Sequence, residues 1–163
     1  MSKRSELIQL SVIKQMEILA SRHVDVISLA QGIPSFDTPS PIKRRAEIAL
    51  AEKLVAKYSL SPGLPELREM IELSLAKDNI FYDWETEIIV TAGSIEGITA
   101  SLLAITDPGD EVIIPDPTYT SYREAVRLAG CTPIFVPLDE KNGWQIEIEK
   151  FAKAIPPKTK AIF

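Results

Sequence analysis

Residues 88–98 read IIVTAGSIEGI, and the organisation of the surrounding chain follows from this stretch. The β-branched run at 88–91 predicts a strand, and apolar residues every three or four positions from Ile95 predict a helix. Gly93 allows a sharp turn between the two, and Ser94 suits the N-cap position of the helix. The amide groups of the first helical turn would offer a site for a phosphate. An ordinary capped turn remains the alternative, because the stretch matches neither glycine-rich nucleotide motif.

The composition is that of a globular protein of about one domain. Of the 163 residues, 45% are hydrophobic and 25% are charged, and the net charge is −5. We expect no nucleic-acid partner, because binding to phosphates needs a dense basic face that the sequence lacks. We also expect no membrane partner and a cytoplasmic location, because the sequence shows neither a signal-peptide core nor a bilayer-length apolar run.

Single residues limit the metal and redox chemistry. Cys131 is the only cysteine and His23 is the only histidine. An internal disulfide is therefore impossible, which favours a reducing compartment. Without a histidine or cysteine cluster, no metal site is expected.

The pattern of elements predicts the fold class. After a helix at about 5–21, a short strand at 26–29 and a proline-rich loop at 32–41, helices are predicted from 41 to 57 and from 65 onwards. Strands and helices then alternate, with further strands at 111–115, 133–137 and 160–163 and helices ending at Gly130 and at 154. Alternation with apolar strands predicts an α/β fold, a mainly parallel sheet with helices on both faces. Because the sequence stops inside a predicted strand, we expect a piece of a longer protein.

Five stretches, in order, resemble the class I/II aminotransferases of fold type I, which use pyridoxal phosphate. They are 28–39 (SLAQGIPSFDTP), 58–69 (YSLSPGLPELRE), 88–98, 107–122 (DPGDEVIIPDPTYTSY) and 158–162 (KTKAI). The resemblance covers essentially the whole chain, and it implies the N-terminal portion of such an enzyme. Residues 1–40 would be an N-terminal arm belonging to the small domain. Residues 41–163 would be the first part of the doubly wound large domain that binds the cofactor.

The resemblance also implies roles for individual residues. The backbone amides of Ser94 and Ile95, with the Ser94 hydroxyl, would hold the cofactor phosphate. Tyr119 would lie flat against the pyridine ring. Tyr58 would reach the phosphate of the neighbouring subunit, which implies a homodimer, and the Gly32 backbone would meet the substrate carboxylate. From the residues alone, the simpler interpretations are a loop glycine, a capping serine and core or surface tyrosines.

One residue fits poorly and the catalytic group is missing. Glu96 lies in the first turn, and its charge suits a bound phosphate only if the side chain turns away. No catalytic residue is predicted in this chain, because the family's Schiff-base lysine follows far beyond residue 163. We therefore predict that the isolated chain is inactive.

The function implied is transfer of an amino group between an amino acid and a 2-oxo acid by means of pyridoxal phosphate. Carbon–sulfur lyases and aminocyclopropane-carboxylate synthases share these segments and remain alternatives. A non-catalytic regulatory protein built on the same fold is a third, and an inert α/β fragment a fourth. Residues 31–34 carry no charge that would select a substrate.

Overall fold

The computed structural model describes residues 6, 8–30, 32–155 and 157–163. Its contacts divide the chain into two compact units. The first unit consists of residues 27–91 and is called the 27–91 unit. The second combines residues 92–163 with the N-terminal residues up to 26 and is called the core unit. These limits differ from the predicted boundary at residue 40, and the assignment of 1–40 and 41–163 to two domains of an enzyme stays a prediction.

The regular elements follow one another along the described chain. They are helices α1 (Val12–Ala20), α2 (Ser40–Ala51), α3 (Pro65–Ala76), α4 (Ser94–Ile105), α5 (Thr120–Leu128) and α6 (Ile148–Lys153), and strands β1 (Glu111–Asp116), β2 (Thr132–Pro137) and β3 (Thr159–Ile162). Short 3₁₀ turns occur at Leu54–Ala56 and Glu140–Asn142. The three predicted strands after residue 100 and the helix beginning at Pro65 are confirmed.

The core unit is built on a parallel three-stranded sheet in the order β2-β1-β3. The central strand contributes Val112, Ile113 and Ile114, which are all 0% exposed. Successive residues of a strand point to opposite faces, so a run buried without interruption means that both faces are covered. The structure therefore confirms the predicted α/β class with a parallel sheet.

Helices cover the two faces of this sheet. On one face, Val112 and Ile114 join a cluster with Leu102 of α4 and with Val126 of α5. On the other face, Ile113 packs with residues of β2 and α6, namely Val136 and Phe151. The prediction of helices on both faces is thus confirmed.

Strand β2 lies at one edge of the sheet and contains Pro133 and Pro137. The N–H of Thr132, just before Pro133, donates at 2.8 Å to a carbonyl oxygen of the segment that contains β1. The N–H of Leu138, just after Pro137, donates to the same segment at 2.9 Å. In a ladder the direction of the N–H groups alternates, so both prolines occupy positions whose N–H would point away from β1.

The 27–91 unit has a different internal structure. Of its described residues, only Arg68 and Ile88 are buried. The Arg68 guanidinium donates from Nε to the Ile88 carbonyl (2.8 Å) and from Nη2 to the Glu85 carbonyl (2.6 Å), and it lies 5.5 Å from the centre of the Trp84 ring. A buried polar anchor therefore joins α3 to the segment 84–88.

Two predicted strands are wrong, because residues 26–29 and 88–91 have no strand assignment. Strand propensity measures how well a residue suits a pleated surface that is paired with a neighbour. At residues 88–91 the backbone forms no regular ladder in the described part of the chain, although the Val90 N–H donates to the Pro62 carbonyl at 2.9 Å. A β-branched run therefore does not by itself make a strand.

Several helix limits also differ from the predictions. Helix α1 begins after Ser11, whose hydroxyl accepts from the Lys14 N–H, and the predicted start at residue 5 lies outside the described residues. Helix α2 ends at Ala51, six residues before the predicted end, and Lys53 follows with φ of 59°. The last helix is predicted to end at 154 because Pro156 and Pro157 follow, and the first of these prolines also lies outside the described residues.

Candidate functional site

The amino end of α4 is the centre of the candidate site. The helix begins at Ser94, and its N-cap residue is Gly93, with φ of 84° and ψ of 161°. The prediction that Ser94 is the N-cap is therefore wrong. The positive φ of the glycine turns the chain one residue earlier, so that the Ser94 hydroxyl is already inside the first turn. No side chain caps the helix here.

Glu96 has a definite partner before the helix. Its carboxylate accepts a hydrogen bond from the Ala92 N–H. This arrangement resembles a capping box, in which an acidic side chain three residues into the helix reaches back to an amide near its start. The Glu96 carboxylate is thus engaged two residues upstream of Ser94, and it braces the turn through Gly93.

The start of α4 suits a phosphate. Ser94 and Ile95 are both exposed, and a Cβ placed on Gly93 would meet nothing within 4 Å. The amides of a first helical turn have no partner within the helix, and they lie at the positive end of its dipole. Open space, exposed amides and an adjacent hydroxyl are together what a phosphate group needs.

Tyr119 lies where the sequence places it, just beyond the carboxyl end of β1 and immediately before α5. Its side chain is 57% exposed. Its ring centre is 5.5 Å from that of Tyr122, with an angle of 76° between the ring planes. An accessible ring held edge-to-face by a neighbour suits stacking against a flat heteroaromatic ring.

The starts of α4 and α5 lie close to each other. A cavity of about 440 Å³ is lined by Ile95 of α4, by Thr120 and Ser121 of α5 and by N-terminal residues including Leu10. A second cavity, of about 420 Å³, is lined by Ser94 together with residues 161–163. The structure thus brings Ser94, Ile95 and the segment that begins with Tyr119 into one region of the core unit.

The other two predicted site residues belong to the 27–91 unit. Tyr58 is fully exposed in the loop after the first 3₁₀ turn, and a Cβ added to Gly32 would meet nothing within 4 Å. Their roles toward a phosphate and a substrate carboxylate stay predictions. Gln31, which precedes Gly32 in the matching stretch, lies outside the described residues.

Sequence reasoning did not single out Tyr122 and Phe163, whose rings form a series of contacts with that of Tyr119. The two rings are stacked, with centres 4.8 Å apart and planes 17° apart, and both pack against the buried cluster shared by α4, β1 and α5. A signal for Tyr122 was present, because it follows Tyr119 by three residues at the start of a predicted helix, the spacing that brings side chains together.

The resemblance also implies that the family's catalytic lysine follows a serine with the spacing Ser-x-x-Lys, and this spacing occurs within the chain at residues 11–14, 40–43 and 74–77. In the first case the serine caps α1 and Lys14 pairs with Glu17 at 2.8 Å. In the second, Lys43 pairs with Asp37 on an exposed surface. These ammonium groups serve as surface ion-pair partners, so the spacing alone does not identify a catalytic amine.

Two further findings concern the described residues as a group. Among them, no three histidine, cysteine, aspartate or glutamate side chains are placed to hold a metal ion together. None of their helices has both the length and the apolar character needed to cross a membrane.

Comparison with known proteins agrees with the geometry. Residues 24–163 match the model of the family described as aminotransferase class I and II. The aspartate aminotransferase of Pyrococcus abyssi is 41% identical over 163 residues, which is 99% of this chain and 42% of that protein. The probable N-acetyl-LL-diaminopimelate aminotransferase of Bacillus subtilis is 37% identical, over 95% of this chain and 39% of that protein.

A solved structure is also similar to this chain in both sequence and fold. The aspartate aminotransferase of Thermus thermophilus, determined with maleate, superposes with a TM-score of 0.90 at 34% identity, over 99% of this chain and 43% of that one. The chain thus spans about two-fifths of the length of the relatives that it matches. Sequence and fold agree over nearly all of its residues, and the chain belongs to the class I and II aminotransferase family.

Proposed function

We propose that the protein containing this chain is a pyridoxal-phosphate-dependent aminotransferase that moves an amino group between an amino acid and a 2-oxo acid. One observation carries the proposal: the start of α4, without a side-chain cap and open at Gly93, belongs to the same compact unit as the exposed ring of Tyr119. The relatives support it, because those compared above are named as aminotransferases.

The residues of the core unit would bind the cofactor at its two ends. The Ser94 and Ile95 amides and the Ser94 hydroxyl would hold the phosphate by charge-assisted hydrogen bonds. The Tyr119 ring would cover one face of the pyridine ring, fix its plane and keep water from that face. When bound, the cofactor supplies the electron sink needed to break a bond at the substrate Cα.

The resemblance further implies a homodimer in which Tyr58 of one subunit would bond the phosphate of the other, and it implies that the Gly32 backbone would meet the substrate carboxylate. Exposed apolar side chains of the 27–91 unit are available for such an association, because an interface would remove them from water. They include Ile33, Phe36, Ile42 and Leu50.

We also propose a cytoplasmic location, on the basis of the single cysteine.

The catalytic amine would come from outside these residues. Transamination needs a lysine that binds the cofactor covalently and moves the proton at the substrate Cα. We therefore expect no turnover and no covalent cofactor absorbance band from the isolated 163-residue chain. A band stable to dialysis, together with turnover of amino acids, would contradict this expectation.

The test of the proposed function is cofactor binding by the full-length enzyme and by its Tyr119→Ala variant. Loss of the ring should weaken binding of pyridoxal phosphate by about 1–3 kcal/mol, because a stacking contact and its buried area are lost. Tyr119→Phe keeps the ring and should bind almost as the wild type does. Equal affinity of all three proteins in a fluorescence titration would contradict the stacking role.

Reaction products separate the aminotransferase from the alternative enzymes. With an amino acid and a 2-oxo acid supplied together, an aminotransferase yields a new amino acid and a new 2-oxo acid, whereas a lyase releases ammonia without a second substrate. Relatives named for aspartate, diaminopimelate and aromatic amino acids define the substrates to test. A protein that bound the cofactor and converted none of them would favour the regulatory alternative or an aminocyclopropane-carboxylate synthase, which forms neither set of products.

A further inference from the structure

We propose that Tyr122 is a positioning residue that orients the Tyr119 ring for the cofactor. The inference rests on the proposed function and adds to it a residue that does not itself touch the cofactor. It is carried by the series of aromatic contacts that runs from the sheet to Tyr119.

The inner end of this series is fixed by the sheet. The Phe163 N–H donates to the Ile113 carbonyl of β1 at 3.0 Å, so the backbone that bears the first ring continues the ladder of the central strand. The Tyr122 ring stacks on Phe163 with centres 4.8 Å apart and planes 17° apart. Both rings also pack against the cluster that contains Leu102, Val112 and Val126.

Tyr119, at the exposed end of the series, contacts Tyr122 in two ways. The ring of Tyr119 meets that of Tyr122 edge-to-face at 5.5 Å, an arrangement favoured by the charge distribution of aromatic rings. The Tyr122 N–H also donates to the Tyr119 carbonyl at 3.1 Å. Tyr122 therefore contacts both the backbone and the ring of Tyr119.

The support matters because Tyr119 is more than half exposed. An exposed tyrosine without a neighbouring ring samples several rotamers, and binding has to order it. A ring already held in one orientation binds a flat ligand without that cost. The contribution of Tyr122 should therefore appear in the affinity and in the orientation of the cofactor, beyond any effect on overall stability.

The experiment uses the full-length enzyme and two substitutions at one position. Tyr122→Phe keeps the ring, whereas Tyr122→Leu keeps apolar volume and removes the aromatic contact. The control is Val136→Ala, which loosens the opposite face of the sheet, where Val136 is 3% exposed. For each protein the apoenzyme is titrated with pyridoxal phosphate, the circular dichroism of the bound cofactor band is recorded, and the melting temperature is measured.

We expect Tyr122→Leu to weaken cofactor binding about two- to tenfold, the effect of one aromatic pair, and to reduce the dichroism of the cofactor band. Tyr122→Phe should restore both to wild-type values. Val136→Ala should lower the melting temperature and leave both cofactor measurements unchanged.

Three results would overturn the inference. If Tyr122→Leu binds the cofactor as the wild type does, with unchanged dichroism, only the inference fails and the proposed function stands. If Tyr122→Phe is as impaired as Tyr122→Leu, the hydroxyl acts and the ring does not. If the wild-type enzyme binds no pyridoxal phosphate, the proposed function fails, and the inference fails with it.

Discussion

The two units of the chain are similarly rich in apolar residues, and they use them in opposite ways. In the core unit, strand β1 buries three successive aliphatic side chains completely. In the 27–91 unit, most large apolar side chains are exposed, and the buried residues among those described are Ile88 and the charged Arg68. Apolar composition therefore does not by itself create a core, because burial needs a second layer of structure to pack against.

The difference predicts that the two units lose stability by different mechanisms. The chain contains one tryptophan in each unit, Trp84 in the 27–91 unit and Trp144 in the core unit. Variants that retain a single tryptophan make it possible to follow each unit separately by fluorescence during unfolding in urea.

The largest effect is expected from Ile113→Ala in the core unit. Removal of a fully buried aliphatic side chain should lower the free energy of unfolding by about 2–5 kcal/mol, because apolar contacts are lost and a cavity is left. The transition reported by Trp144 should move to lower urea concentration. The control Ile42→Ala, at a 59% exposed position of the other unit, should cost less than about 0.5 kcal/mol. Equal costs for the two substitutions would remove the distinction between the units.

Arg68→Met should produce the next largest effect, and it should act on the other unit. The substitution leaves the Ile88 and Glu85 carbonyls without their guanidinium donor, at a cost of about 2–4 kcal/mol to the transition reported by Trp84. Arg45→Met, at an exposed position of α2, is the matched control and should be close to neutral. If both variants unfold as the wild type does, the unit has no polar anchor.

Gly63→Ala should have a smaller but distinct effect on the 27–91 unit. At φ of 106°, the new Cβ would lie 2.8 Å from the Val90 Cβ, so both the backbone and a neighbouring side chain would be strained. We expect a loss of about 1–3 kcal/mol in the free energy of unfolding. Gly143→Ala is the control, because it also has positive φ but open space around it, and it should cost about 1 kcal/mol. A smaller loss at Gly63 than at Gly143 would show that the contact with Val90 relaxes freely.

The smallest effect concerns the pH dependence of the 27–91 unit. The Glu85 N–H and then the Thr86 hydroxyl bind the Asp83 carboxylate and hold its pKa below the ordinary value of 3.8. A depressed pKa in the folded state stabilises fully above the unfolded value, and this stabilisation is lost as the pH falls through the folded value. Asp83→Asn should therefore reduce the difference in urea midpoint, reported by Trp84, between neutral pH and about pH 3. An unchanged difference would assign the acid sensitivity to other carboxylates.

The contrast between the two units also explains which features could be predicted from the sequence. The parallel sheet was predictable, because β1 and β2 are largely apolar runs and each of the three strands finds a partner in the described chain. Residues 88–91 have equal β-propensity and form no strand, because pairing depends on residues distant in sequence. The anchor at Arg68 was missed for a related reason, since a charged residue in a helix is normally solvated and its carbonyl partners lie 17 and 20 positions later.

At the candidate site, the local geometry was predictable to within one residue. Sequence placed the turn correctly and assigned the cap to Ser94, whereas the positive φ of Gly93 makes the glycine the N-cap. The problem posed by the Glu96 charge is resolved by a bond to Ala92, which depends on a side-chain rotamer that no sequence pattern specifies. The support of Tyr119 by Tyr122 required the observed ring geometry.

The prolines of strand β2 determine at which edge of the sheet another strand can be added. With Pro133 and Pro137 at outward positions, the free side of β2 lacks two of the donors that an added strand would need. The described part of β3 contains no proline, and the Ile162 amide, which precedes the inward-donating Phe163 N–H, provides a donor on its free side. Recruitment of another strand is therefore one-sided, and any edge-to-edge aggregation of partly folded chains should begin at β3.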